Sequence, residues 1–152
     1  MNFLSTWDQW SPWEAAALQK GLAWVLDALP NLPVVIMDPD RMAQAIGNIL
    51  SNAIKFTSLG GKVITTIEFE GGQLSMQVTD TGPGIPANEQ EKIFQPFYRG
   101  SQGKRIVEGM GLGLSIARDI IMAHGGEIKV ESTPGTGSRF IMQIPVEIQH
   151  EA

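Results

Sequence analysis

The sequence contains no cysteine, no long apolar run and few positive charges, and each absence excludes a class of protein. Without cysteine, a chain of 152 residues can form neither a disulfide framework nor a thiolate metal site. No apolar stretch approaches the length of a membrane-spanning helix, about 18 residues. The first residues also lack the pattern of a secretory signal peptide. Lys and Arg total 11 against 16 Asp and Glu, so the net charge of −5 argues against a nucleic-acid-binding protein. We therefore expect a globular chain that does not itself insert into a membrane.

Size and composition predict one domain with a substantial core. Hydrophobic residues make up 43% of the chain and charged residues 18%, as in ordinary globular proteins. Residues 1–13 are expected to form a junction segment, and residues 14–152 the domain. Trp7, Trp10 and Trp13 lie near this boundary. Either they pack on the core of this domain, or Trp7 and Trp10 contact a neighbouring domain.

Hydrophobic periodicity predicts the order of the helices and strands. Ser11 is expected to cap a first helix that has Pro12 at its first position, and Asp38 to cap a long helix ending near Phe56. Helices are predicted at 12–20, 39–56, 86–94 and 113–124, and strands at 22–29, 34–36, 63–70, 73–80, 127–132 and 139–146. The stretch 95–110 has no usable periodicity, and so long a loop is usually functional or mobile. This order predicts an α/β sandwich: a mixed, mainly antiparallel sheet with helices packed on one face.

One carboxylate stands at the end of a predicted strand, before a run of glycine and proline. Asp80 follows an alternating strand, and the next residues are Thr81-Gly82-Pro83-Gly84-Ile85-Pro86. The glycines allow positive φ or close approach of a ligand to the backbone, while the prolines withhold two amide donors. The stretch suits a flat ligand that donates a hydrogen bond. A sharp turn with a solvated aspartate is the other interpretation.

Two other segments carry weaker signals. Asn48, Asn52 and Lys55 fall within about 60° of one another on the long helix, away from its apolar side. A carboxamide oxygen can bind Mg²⁺ and an ammonium can neutralise phosphate, but a solvated polar face would look the same. The run Gly109-Met110-Gly111-Leu112-Gly113-Leu114 directly precedes a helix. It can form a phosphate site at the helix N-terminus or a simple hinge, and its spacing matches neither the dinucleotide fingerprint nor the P-loop.

Taken together, these segments resemble a known family. The chain has, in order, Asn52-Ala53-Ile54-Lys55-Phe56-Thr57, Asp80-Thr81-Gly82-Pro83-Gly84-Ile85, Ile93-Phe94-Gln95-Pro96-Phe97, the glycine run from Gly109 to Leu114, and Gly135-Thr136-Gly137-Ser138. This combination resembles the catalytic, ATP-binding domain of sensor histidine kinases, in the superfamily that includes gyrase, the Hsp90 chaperones and the MutL repair proteins. The resemblance covers about Glu14 to Val146. It implies a Bergerat-type ATP-binding fold and a cytoplasmic location, within a protein that could be a membrane-anchored sensor.

The resemblance implies a role for each matching residue. Asp80 would accept a hydrogen bond from the adenine amino group, and Asn52 would bind Mg²⁺. Asn52, Lys55 and Arg99 would carry the phosphoryl transfer. Phe94 and Phe97 would anchor a lid, from Gln95 to about Leu112, that closes over ATP. Further nucleotide contacts are implied for Asn48, Phe56, Gly82, Gly84, Ile85, Phe97, Lys104, Gly109, Gly111, Leu112, Gly113, Leu114, Thr136 and Ser138, the last of which stands where the family more often has threonine.

Two differences bear on the reaction. Hydrolytic members of the superfamily have a glutamate four residues before the magnesium asparagine; this chain has Asn48, and an amide cannot act as a base. Phosphoryl transfer is therefore favoured over hydrolysis. Nothing in the chain matches the family's phosphoacceptor histidine, since His124 ends a helix and His150 lies in the tail. The resemblance then implies the catalytic half of a two-component kinase, acting on a separate helical dimerisation/phosphoacceptor domain and indirectly on a response regulator.

Two other functions remain open at this point. One is a regulatory module that senses ATP without catalysis, and the other is a serine kinase of the anti-sigma type. A transfer assay separates the first from a histidine kinase. Acid lability of the phosphorylated partner separates the second.

Overall fold

The computed structural model describes residues 10–28, 35–96 and 113–147. Their elements in chain order are α1 (Trp10–Gln19), β1 (Ala23–Ala28), α2 (Pro39–Phe56), β2 (Lys62–Glu70), β3 (Gln73–Asp80), the two 3₁₀ turns Ala87–Glu89 and Lys92–Phe94, α3 (Gly113–Ala123), β4 (Glu127–Thr133) and β5 (Gly137–Pro145). Within these residues, no helix is both long and apolar enough to cross a membrane.

The five strands form one mixed sheet in the order β1-β2-β3-β5-β4. β1 runs parallel to β2, and the other neighbouring strands pair antiparallel. A two-residue turn joins β2 to β3, where Gly71 and Gly72 have φ of 60° and 76°. Positive φ at both turn positions matches the twist of the flanking strands. β5 lies between β3 and β4, which places the end of β3 beside the start of β5.

The long helix α2 forms where the sequence predicts it. The Asp38 side chain accepts from the backbone amides of Asp40 and Arg41, each at 3.1 Å, and Pro39 occupies the first helical position. One side of the helix is buried: Met42, Ala45, Ile46, Gly47, Ile49, Leu50, Ala53 and Ile54. That side packs in a common core with the inward residues of the strands. The cap and the apolar spacing thus fix both the start and the buried side of α2.

The helices pack on one face of the sheet, as predicted. Alternate strand residues are buried beneath them: Val63, Thr65, Ile67, Leu74, Met76, Val78, Asp80, Ser138, Phe140, Met142 and Ile144. Ser75, Gln77 and Thr79 lie on the opposite face of β3 and are only half-buried. The predicted α/β sandwich is confirmed.

Two predicted details near the first helix and strands are wrong. α1 already includes Trp10, so Ser11 is not its N-cap, and Pro12 falls within the first turn, where its missing amide costs little. Trp10 is buried and Trp13 lies against Gly47 of α2. Those two tryptophans therefore pack on the domain's own core, while Trp7 lies outside the described residues. Of the strand predicted at 34–36, Val34 lies outside the described residues, Val35 forms a bridge, and Ile36 is not in a strand because the α2 cap follows so soon.

The helix predicted at 86–94 is instead two separate 3₁₀ turns. Glu89 and Phe94 are both buried. Five residues of an α-helix would place them about 140° apart, so a single helix could not turn both inward. The break lets Phe94 pack on the sheet.

Candidate functional site

Asp80 ends β3 on the buried face of the sheet. Its side chain follows the inward series of Leu74, Met76 and Val78, and Asp80 is only 6% exposed. The carboxylate Oδ1 accepts a 2.9 Å hydrogen bond from the Gly82 amide. The alternative of a solvated aspartate is therefore wrong. An ionised carboxylate has acceptor sites beyond the one that Gly82 uses, so Asp80 can also bind a donor group of a ligand.

Glycine is required in the loop after Asp80 because the loop touches two other elements. A Cβ at Gly82 would lie 2.9 Å from Oδ1 of Asp80 and 3.0 Å from the carbonyl oxygen of Phe56, at the end of α2. Gly84 has φ of +75°, and a Cβ there would collide with the Thr133 backbone. Ile85 then turns into the core. The glycines allow the loop to sit between α2 and the β4–β5 turn.

The β4–β5 turn is tied to this loop through backbone groups. The Gly135 amide donates to the Pro83 carbonyl at 2.7 Å. Gly137 has φ of +142°, and a Cβ there would collide with the Asp80 backbone. Thr136 is exposed at the tip of the turn. The predicted pocket residues of β3 and β5 therefore share one end of the sheet.

Ser132 and Ser138 fix the direction of the hydrogen bonds at this end of the sheet. Ser132 Oγ accepts from the Ile85 amide at 2.7 Å and donates to the Gly137 carbonyl at 2.8 Å. A hydroxyl has one proton, so the 2.9 Å contact between the two serines must be a bond donated by Ser138. Ser138 lies directly opposite Asp80 in the strand register. With its own proton committed, Ser138 can only accept from a further group, as can an ionised Asp80.

The polar side of α2 faces the start of α3. Asn48 donates from Nδ2 to the Gly113 carbonyl at 3.0 Å. Asn48 and Asn52 are half-buried, Lys55 is exposed and Phe56 is half-buried. Leu114, the next residue of α3, packs against the core. The structure thus brings the asparagine helix and the last glycine of the glycine run together, as the predicted site requires.

Lys20 makes a contact with the end of α2 that the sequence did not predict. Its Nζ donates to the carbonyls of Ile54 and Lys55 at 2.8 and 2.7 Å. These carbonyls are at the end of α2, where a helix leaves acceptors unused and favours a cation. Lys20 lies 34 residues before Ile54 in the chain, so no local pattern announces the bond.

Phe94 lies where an anchor for the predicted lid is expected. Its ring packs edge-on against Phe140, with ring centres 6.2 Å apart at 88°, and the Arg118 guanidinium lies 5.8 Å from its centre. The remaining lid and phosphate predictions fall outside the described residues; they are Phe97, Arg99, Lys104, Gly109, Gly111 and Leu112.

His124 uses both ring nitrogens within the fold. Nδ1 lies 2.8 Å from the Ile120 carbonyl, which can only accept, so Nδ1 carries the proton. Nε2 accepts from the Asp38 amide at 3.4 Å. This arrangement links the end of α3 to the start of α2 and gives His124 a structural role.

Comparison with known proteins identifies the family. The profile of the family described as histidine kinase-, DNA gyrase B-, and HSP90-like ATPase matches residues 37–148. The chain is 44% identical over 119 residues to the sensor histidine kinase RcsC of Salmonella typhimurium, a match covering 77% of this chain and 12% of that protein. It is 45% identical over 128 residues to the adaptive-response sensory kinase SasA of Synechococcus sp. (strain JA-3-3Ab), covering 84% of this chain and 34% of that protein. The chain thus spans about an eighth and a third of these relatives.

Solved structures give the same result. The mycobacterial sensor histidine kinase MprB superposes with a TM-score of 0.78 at 27% identity, over 90% of this chain and 91% of that one. The catalytic domain of histidine kinase ThkA superposes with a TM-score of 0.76 at 33% identity, over 90% of this chain and 86% of that one. The chain belongs to the histidine kinase-, DNA gyrase B- and HSP90-like ATPase family and is an ATP-binding domain of the sensor histidine kinase type.

Proposed function

We propose that this chain binds Mg²⁺-ATP and transfers the γ-phosphoryl group to a histidine on a separate helical dimerisation/phosphoacceptor domain. It would be the catalytic part of a two-component signalling kinase. The observation that carries the proposal is the pair of buried acceptors, Asp80 and Ser138, at the end of the sheet. Such a pair suits an exocyclic amino group, which adenine has at the position where guanine has a carbonyl.

The base would lie in the loop after β3. Asp80 would accept from the adenine amino group, and Ser138 would be a second acceptor. The ring would lie against the backbone of Gly82 and Gly84, and Ile85 anchors the end of this loop in the core. Thr136 would border the opening, since it lies exposed on the β4–β5 turn. Direct hydrogen bonding to a buried charged acceptor gives selectivity, because a ligand without the donor would displace water from the carboxylate without replacing its hydrogen bond.

The phosphates would lie along the polar side of α2. Asn52 can offer one carboxamide oxygen to Mg²⁺, and Lys55 can offer a positive charge to phosphate. The described residues contain no group of three or more His, Asp or Glu able to hold a metal by themselves. This donor set fits Mg²⁺, which is commonly held by one or two protein oxygens together with phosphates and water. Bound there, the ion would offset negative charge on the transferring phosphoryl group.

Transfer is favoured over hydrolysis by the residue at position 48. An amide cannot take a proton from water, and Asn48 already donates its amide to the Gly113 carbonyl. Its contribution would be to hold the start of α3 beside the phosphates. Arg99 and Lys104 of the lid segment would supply further positive charge, as the family resemblance implies. Phosphoryl transfer depends on such positioning and charge stabilisation.

The partner would be the acceptor domain of the same kinase. A solved neighbour, histidine kinase ThkA, forms a complex with its response regulator TrrA, and this chain would act on a response regulator only through the phosphorylated acceptor domain. The location would be cytoplasmic, within a kinase that can be membrane-anchored.

Nucleotide binding is tested by calorimetry on the wild-type chain and on Asp80→Asn, with and without Mg²⁺. Loss of a charged hydrogen bond to the base should weaken ATP binding by about 10- to 100-fold. Asp27→Asn is the matched control, since Asp27 is an exposed carboxylate on β1 and its substitution should leave binding unchanged. Equal affinities of Asp80→Asn and wild type would remove the adenine assignment.

Catalysis is tested by mixing the chain with the acceptor domain and γ-labelled ATP. The acceptor should become labelled, and the label should be lost in acid, as phosphohistidine is and phosphoserine is not. His124→Asn should still transfer the phosphoryl group, because both ring nitrogens of His124 are hydrogen-bonded within the fold and His124 is not the proposed acceptor. Confirmed ATP binding without labelling of the acceptor would favour a nucleotide sensor instead.

A further inference from the structure

Two side chains outside the family motifs hold the base-binding loop in place. Ser132 Oγ bonds to the Ile85 amide, the Gly137 carbonyl and the Ser138 hydroxyl. Gln90 Nε2 donates to the Ile85 carbonyl at 3.0 Å and to the Ser132 carbonyl at 3.1 Å. The Ile85 amide is therefore bonded to Ser132, and the Ile85 carbonyl to Gln90. It lies five residues after Asp80, at the end of the glycine loop.

The donor and acceptor groups of this network fix the direction of each hydrogen bond. Both partners of the Gln90 amide group are carbonyl oxygens, so the group must present its NH₂ to them. The Ser132 hydroxyl donates once and accepts twice, which uses its full capacity. The two residues join three pieces of chain: the end of the glycine loop, the end of β4 and the start of β5. Two of these bonds are long-range, since Ser132 is 47 residues from Ile85 and 42 residues from Gln90.

We propose that Ser132 and Gln90 are positioning residues for nucleotide selection. They fix the far end of the Asp80 loop. Ser132 accepts a hydrogen bond from the Ser138 hydroxyl, so Ser138 presents an acceptor beside Asp80. The inference rests on the proposed function, because the acceptor pair is the site assigned to adenine. Neither residue needs to touch the nucleotide for this role.

The test compares ATP, GTP and inorganic tripolyphosphate, each with Mg²⁺, by calorimetry. Ser132→Ala removes the hydroxyl, Gln90→Glu replaces the donor group with acceptors, and Gln90→Met keeps the side-chain size without donors. Matched controls on the outer face of β3 are Ser75→Ala and Gln77→Glu, both at half-buried positions. Ser132→Thr, which keeps the hydroxyl, tests rescue.

Ser132→Ala and Gln90→Glu should weaken ATP binding about tenfold, because Ser132→Ala removes three hydrogen bonds that hold this end of the sheet and Gln90→Glu removes two. Their preference for ATP over GTP should shrink, while tripolyphosphate affinity changes less than twofold. Gln90→Met should show a smaller loss than Gln90→Glu, because methionine does not place a negative charge against two carbonyls. Ser132→Thr and both controls should resemble wild type.

Equal losses for ATP and tripolyphosphate would overturn the inference, because they would indicate general damage to the fold. Unchanged ATP affinity in Ser132→Ala and Gln90→Glu, with a clear loss in Asp80→Asn, would overturn it while leaving the proposed function intact. A wild-type chain that binds ATP no better than tripolyphosphate would overturn the proposed function and this inference together. If Ser132→Ala does not fold, the two Gln90 variants decide the outcome.

Discussion

Gly84 and Gly72 have nearly the same φ, +75° and +76°, but different surroundings. A Cβ at Gly72 would meet no atom within 4 Å, whereas at Gly84 it would collide with the carbonyl group of Thr133. Substituting alanine at each glycine therefore separates the stability cost of a positive φ from the cost of losing a contact between two segments.

Gly72→Ala should lower the free energy of unfolding by about 1 kcal/mol, the usual cost of left-handed backbone with a Cβ. Gly84→Ala should cost more and should also weaken ATP binding by about tenfold or more, because the Asp80 loop must move off the β4–β5 turn. Urea unfolding and calorimetry measure the two effects. Equal stability losses with equal ATP affinities would show that the contact with Thr133 has no part in the site.

At this scale, the sequence predicts residues whose chemistry is local and misses those whose partners are distant. Asp80 and Gly84 stand out because a strand ends and glycine follows. Ser132 could have been suspected only because it extends the inward series of Ile128 and Val130 with a polar residue. Gln90 carries no signal, since one of its two partners, the Ser132 carbonyl, is 42 residues away in the chain.

Among the elements, α2 is the one that most of the site depends on. Its start is set by Asp38, its polar side carries Asn48 and Asn52, and its end touches both Gly82 and Lys20. The start and the polar side are readable in the sequence. The end is not, because the cation that caps it, Lys20, lies just after α1 and far from α2 in the chain.

Lys20→Met should destabilise the domain by about 1 kcal/mol. The substitution keeps much of the apolar stem but removes the charge and the two hydrogen bonds at the end of α2. Lys62→Met is the matched control, since Lys62 is also exposed and the bonds found for it involve only its backbone. Both are measured by urea unfolding at low salt. A Lys20→Met protein as stable as the control would mean that the cap contributes nothing measurable.

For the whole molecule, a single core joins all the described helices to the sheet. The hairpin of β2 and β3 and the α2 cap could be predicted because they follow from neighbouring residues. The parallel pairing of β1 with β2, and the position of β5 between β3 and β4, could not, because strand order depends on long-range contacts. The candidate site lies at the sheet end that this order creates.

A shared core predicts cooperative unfolding. Trp10, Trp13 and Trp24 all belong to or pack against the common core, so tryptophan fluorescence should report the same transition as far-ultraviolet circular dichroism. Mg²⁺-ATP at 100 times its dissociation constant should raise the free energy of unfolding by about 2.7 kcal/mol, and so shift the midpoint to higher urea. A fluorescence transition at clearly lower urea than the dichroism transition would show that α1 separates from the sheet first.

The bonds from Lys20 to the end of α2 also have a mechanical consequence. Ile54 and Lys55, whose carbonyls Lys20 holds, lie two and three residues beyond Asn52, and the Phe56 carbonyl lies against Gly82. A force that displaces α1 would therefore act through Lys20 on the last turn of α2, beside the segments proposed to hold the phosphates and the base. Under the proposed function, a displacement of α1 would change the spacing between Asn52 and the Asp80 loop, and so the affinity for a bound nucleotide.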